Sequence, residues 1–152
     1  MNYYVLHKPY GYLSQFTPEG KWKGLGELHP FPKDVYAVGR LDADSEGLLL
    51  LTNDKAINHQ LLDPKFKHKR RYMVQVEGVP NENQLLPFSE GMVLNYKGKQ
   101  FQTGPTVAHA VGEPEWLVDR EPPIRMRKNK PTSWLELVLT EGKNRQVRKM
   151  TA

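Results

Sequence analysis

Arg40 and three carboxylates at alternate positions, Asp42, Asp44 and Glu46, lie close together in Val38–Asp54, VGRLDADSEGLLLLTND. Such a group could hold a metal ion for hydrolysis. The structural alternative is an ordinary connection whose acids are merely solvated. Calcium is excluded by counting. Asp42, Asp44, Glu46 and Gly47 imitate the start of a calcium loop, but its twelfth position, normally a bidentate Glu, is Asn53. Leu48–Thr52 is also too apolar for such a loop.

Two apolar runs bound the charged stretch. Val35–Val38 and Leu48–Leu51 read as buried strands, so the residues between them form a loop fixed at both ends by the core. Charged loops on rigid scaffolds are where reactive groups are commonly presented.

The rest of the chain must build that scaffold. Tyr3–His7 predicts a strand closed by a turn at Lys8-Pro9-Tyr10-Gly11. Residues 14–34, rich in Gly, Pro and Lys, predict a surface segment with a short helix near Leu25–Leu28. Asp54–Leu62 has helical spacing, with Asn53 or Asp54 as cap and Pro64 as stop. Lys65–Arg71, KFKHKRR, then runs into an alternating strand at Tyr72–Val76. That run is either a solvated face or a backbone-neutralising stretch beside a base-stacking ring.

Further on, Asn81–Glu90 predicts a helix, and residues 92–111 predict short strands turning at Tyr96–Lys99 and Gly104-Pro105. Glu113–Pro123 reads as a connection, and Arg125–Lys130, RMRKNK, is a second basic cluster. Ser133–Thr140 predicts a buried strand. Lys143–Met150 predicts a helix on which Asn144, Val147 and Arg148 share a face.

Composition narrows the classes. A chain of 152 residues with 38% hydrophobic and 10% aromatic content suits one folded domain. No apolar run reaches the roughly 18 residues of a membrane span, and MNYYVLHKP has no signal-peptide pattern. Without Cys there are neither disulfides nor thiolate zinc sites. These features fit the cytoplasm. A net charge of +5 favours a polyanionic partner if the excess is clustered. The five His residues have no close ligand spacing, and P-loop, G-x-S-x-G and H-E-x-x-H patterns are missing.

GRLDADSEGLLLLTND resembles the signature of the A-type RNA pseudouridine synthases, the group typified by an enzyme of the small ribosomal subunit. The resemblance implies that Asp42 is the catalytic carboxylate and that Arg40 occupies the space left by a flipped-out base. Asn2–Gly11 is similar to the family's K-P-x-G turn, which implies that Lys8 supports the loop. Arg70-Arg71-Tyr72 matches the strand whose Tyr stacks on the uracil and takes its C5 proton, so that role falls on Tyr72. EGKNRQVRKM resembles the third motif, whose last cation pairs with the catalytic Asp; that role falls on Arg148. The full-length pattern, Pro122–Ala152 above all, is most similar to the type E branch, which modifies large-subunit ribosomal RNA.

What the resemblance implies is therefore an α+β fold with a mixed, largely antiparallel sheet and flanking helices. It implies one catalytic domain over residues 1–152, with no S4-like RNA-binding domain. The partner is large-subunit ribosomal RNA, bound by a cytoplasmic monomer with no cofactor, metal or membrane. RNA contacts fall on Lys8, Arg40, Lys67, Lys69, Arg70, Arg71, Arg125, Arg127, Lys128, Lys143 and Arg145. Relatives continue past the third motif, so a chain ending at Ala152 is expected to leave an unpaired edge beside Trp134–Leu139 and to lose stability. Two rivals stand beside this reading. One is a catalytically silent RNA-binding or ribosome-assembly protein, the other a metal-dependent hydrolase using the three loop acids.

Overall fold

The computed structural model describes residues 1–125 and 128–152. The chain forms two compact units, Met1–Phe66 and Lys67–Ala152. In the first, β1 (Tyr3–Lys8), β2 (Tyr36–Ala37) and β3 (Gly47–Thr52) form an antiparallel sheet in the order β1-β3-β2. Sheet geometry sends alternate residues to opposite faces. Leu49 and Leu51 are therefore buried, with Leu25 and Val35, whereas Leu48 is exposed. The run Leu48–Leu51 is thus not uniformly buried, as its composition suggested. The Val35–Val38 run contributes only two strand residues, although Val38 N–H extends the pairing by donating to Leu50 C=O at 2.7 Å.

Residues 14–34 are more than a surface segment: much of the stretch is exposed and the short helix expected near Leu25–Leu28 is a 3-10 turn at Leu25–Glu27, but part of it enters the core. Leu25 is fully buried, and Phe16, Leu28 and Phe31 pack into the same core. Two glycines make this possible. A Cβ on Gly24 would collide with the Phe16 carbonyl, and one on Gly26 would stand 2.9 Å from it. Gly26 N–H instead donates to Phe16 C=O at 3.1 Å. Helix α1 (Lys55–Leu62) starts at Asp54, whose carboxylate accepts from Ala56 N–H and Ile57 N–H. The Tyr3 hydroxyl donates to the same carboxylate at 2.7 Å, tying α1 to β1.

The second unit contains β4 (Arg70–Glu77), α2 (Glu82–Glu90), β5 (Val93–Tyr96), β6 (Lys99–Gln102), β7 (Val107–Val111), β8 (Thr132–Leu139) and α3 (Gln146–Met150). Strands β5 and β6 form a hairpin, and β8 lies between β4 and β7. Leu135, Leu137 and Leu139 of β8 bury against Phe88, Leu94 and Met150, with Tyr72, Val74 and Val76 packed beside them. Because β8 is paired on both sides, the edges of this sheet among the described residues are β4 and β7. Every named strand pairing in both units is antiparallel, which gives the α+β architecture expected. Among the described residues, no helix is long and apolar enough to cross a membrane.

Candidate active site

The loop that carries Asp42 leaves β2 and enters β3, and it is fastened on both sides of that residue. Leu41 N–H donates to Ser14 Oγ, and Ser14 Oγ–H donates back to Leu41 C=O, each at 2.9 Å. Beyond Asp42, Gly11 N–H donates to Ala43 C=O at 2.7 Å. Ser45 N–H closes the turn onto Asp42 C=O at 3.0 Å. Gly11 reaches Ala43 from a left-handed backbone with φ +86°, a conformation glycine adopts without strain. Asp42 itself is half-buried and Arg40 is exposed.

Lys8 lies beneath this loop. It ends β1 opposite Gly47, the first residue of β3. Its side chain is 0% exposed. The ammonium donates to Tyr12 C=O at 2.7 Å and to Pro9 C=O at 3.0 Å. Burial pushes its pKa down to about 8, against the upward pull of Glu46, Asp44 and Asp42, in that order. Lys8 is thus a buried counter-charge to the three loop acids. The RNA contact expected of Lys8 has no exposed surface to rest on, because the side chain is buried and its ammonium is held by two backbone carbonyls. Among the described residues, no set of three or more His, Asp or Glu is arranged to hold a metal ion.

The other expected catalytic residues belong to the second unit. Tyr72 is half-buried on β4 opposite Leu137 and packs on the core. Arg148 is exposed on α3. The face expected to carry Asn144, Val147 and Arg148 does not form as such, because α3 starts only at Gln146 and Asn144 precedes it. Gln146 and Met150 are buried and Val147 packs on the core as expected, while Arg148 stays exposed. Gln146 uses both ends of its amide: Oε1 accepts from Lys143 N–H at 2.9 Å, and Nε2 donates to Glu141 Oε1 at 2.8 Å. The same Glu141 oxygen accepts from Gly104 N–H at 2.9 Å. Glu141 and Gln146 therefore lash the third motif to the end of the β6–β7 segment.

The basic residues divide. Lys67, Lys69, Arg125 and Lys128 are exposed, and Arg70 is half-buried. Arg71 is exposed with Nε 3.5 Å from Glu136 Oε2, a contact worth little in solvent. Lys143 and Arg145 are exposed at the entry to α3. Arg127 lies outside the described residues. Sequence reasoning passed over Ser14, Glu141 and Gln146. The first has no local signal, because its partner is 27 residues away. The other two sit inside a motif whose cations drew attention.

The chain as a whole has similar sequences and folds among known proteins. Residues 2–152 match the family model described as RNA pseudouridylate synthase. Ribosomal large subunit pseudouridine synthase E of Xanthomonas axonopodis pv. citri is 47% identical over 150 residues, covering 97% of this chain and 76% of that protein. The protein of the same name from Xanthomonas campestris pv. campestris is 48% identical over 153 residues, covering 97% and 78%. A solved pseudouridylate synthase superposes with a TM-score of 0.74 at 25% identity, over 97% of this chain and 55% of that one. A family match along almost the whole chain, joined to relatives of this identity, leaves one conclusion: the chain belongs to the RNA pseudouridylate synthase family.

Proposed function

We propose that this protein isomerises uridine to pseudouridine at a specific site in large-subunit ribosomal RNA, acting as one catalytic domain over residues 1–152. The reaction breaks the N1–C1′ bond, turns the uracil and joins C5 to C1′. N1 ends protonated and the C5 proton is lost. No electrons leave the nucleotide, so no redox cofactor is called for. Asp42 is the catalytic carboxylate and Arg148 its partner charge. Tyr72 stacks on the extruded uracil and takes the C5 proton, and Arg40 fills the vacated stack.

The observation that supports this reading is the fastening of Leu41 and Ala43 around Asp42. A reactive carboxylate must meet its target within a fraction of an ångström, and anchored flanking peptides provide that. The names of the similar Xanthomonas proteins favour large-subunit RNA and the type E branch. The finer grouping with the A-type enzymes rests on the GRLD and SEGLLLLTND signature alone. The protein works in the cytoplasm as a monomer.

The test is tritium release from ribosomal RNA labelled at uridine C5, with and without EDTA. Release that survives the chelator supports the isomerase. Release abolished by EDTA and restored by a divalent metal would overturn the metal-free mechanism. No release from folded protein, with RNA binding retained, would make the chain a binding module.

A further inference from the structure

Three non-glycine residues among those described have positive φ: Lys67 (+47°), Lys97 (+49°) and Arg145 (+54°). Left-handed backbone strains an ordinary L-residue, and Gly or Asn would occupy it more cheaply. All three positions carry cations. Backbone strain held at a position that could be relaxed by a common substitution is a pointer to function. Two of the three already figure among the RNA contacts expected from sequence. The third, Lys97, does not.

Lys97 and Gly98 form the two-residue turn of the β5–β6 hairpin. Both have positive φ, the form that matches strand twist and normally selects Asn-Gly or Asp-Gly. The asparagine is present but displaced: Asn95 Oδ1 accepts from Gly98 N–H at 3.1 Å. The tip is left to the exposed Lys97 and, one residue beyond Gly98, Lys99, which is also exposed.

The hairpin is held against the third motif by cations on aromatic rings. Lys149 Nζ stands 4.8 Å from the Tyr96 ring centroid and donates to Asn95 C=O at 2.9 Å. Lys143 Nζ stands 4.3 Å from the Phe101 ring centroid. Such contacts keep the ammonium groups at the surface while fixing their stems. Tip and base together place Lys97, Lys99, Lys143, Arg145 and Lys149 on one hairpin and the segment pinned to it. The nearby Glu141 is engaged by Gly104 and Gln146, a tie within the fold.

We infer that the β5–β6 hairpin, with the start of α3, is an RNA-backbone contact surface in which Lys97 and Lys99 neutralise phosphates. Its positive charge fits a polyanion, and its motif-bearing base joins it to the segment that carries Arg148. The inference rests on the reading of the protein as an RNA-modifying enzyme and extends its footprint to residues not otherwise assigned to it.

The test uses Lys97→Gly with Lys99→Gln in the full chain, and Lys55→Gln on α1 as a surface-charge control. Lys97→Gly suits the turn, so the hairpin should fold as well as before, which a melting curve verifies. Affinity for a fluorescent uridine 20-mer is followed by anisotropy across salt concentrations. The double variant should lower the log–log salt slope by about 1.4, at about 0.7 per single-stranded phosphate contact. The control should leave it unchanged. A double variant with the wild-type slope overturns the inference and would leave the hairpin free for a protein partner. If wild type releases tritium while the slope is unchanged, only the hairpin surface falls. If the slope drops but wild type never releases tritium, the surface stands and the isomerase reading falls.

Discussion

Ser14 Oγ accepts the Leu41 N–H and donates to the Leu41 C=O, so one small side chain saturates both polar groups of the residue before Asp42. Ser14 is only 8% exposed, so its hydroxyl is largely shielded from water. Ser14→Ala would leave both groups unsatisfied, at a cost of about 1–3 kcal/mol. Chemical denaturation should show that loss. Turnover should fall by more than RNA affinity does, because a loosened loop mispositions the carboxylate while the basic surfaces are untouched. Equal loss in both quantities would argue that Ser14 only stabilises the fold.

Asp42→Asn keeps the size of the side chain and removes its charge. Turnover should drop on the order of 10⁴-fold or more, as when a covalent-catalysis residue is removed. RNA affinity should change little, and Asp42→Ala should behave alike, which controls for deamidation. Asp44→Asn should keep most activity. Tritium release at the wild-type rate from both Asp42 variants would remove Asp42 from the chemistry.

Lys8 predicts a pH effect with a definite sign. Its folded pKa of about 8 is below the ordinary lysine value of 10.5. Between those values the unfolded chain holds the extra proton, so this group adds stability as pH rises through the window. Below pH 8 both states are protonated and the penalty of the buried charge is fully present and constant. The stability of wild type relative to Lys8→Met should therefore grow from pH 8 to 10.5, by at most about 3 kcal/mol. The measurement is the difference between paired urea melts at each pH. A flat difference would mean that the ammonium keeps its proton through the window.

Glu141→Ala removes the acceptor shared by Gly104 N–H and Gln146 Nε2–H. The second unit should lose about 1–3 kcal/mol, and amides of α3 should exchange faster with solvent. Unchanged exchange in Gln146–Met150 would show that α3 holds without this tie.

The positions of most elements followed from the chain alone. Period-two patterning placed β4, an apolar run placed β8, and a capping Asp54 with Pro64 bounded α1, because these signals depend on neighbours a few residues apart. The GRLD and EGKNRQVRKM motifs likewise singled out Asp42 and Arg148 by local spelling. Residues 14–34 were legible only in part: the short helix near Leu25 is there and much of the stretch is exposed, but Gly and Pro content does not reveal that Gly24 and Gly26 let the backbone close on Phe16 and bury Leu25. Nor could spelling reveal that Lys8 is buried, since its burial follows from β1 pairing with β3 and ending at Gly47. Ser14 on Leu41, and Glu141 between Gly104 and Gln146, are long-range bonds or shared acceptors whose partners become neighbours only on folding. Sequence determined which residues could do chemistry, since chemistry resides in side-chain type and short motifs. Tertiary structure decided which of those charges reach solvent and which peptides are held still, because burial and hydrogen-bond closure depend on chain segments far apart in sequence.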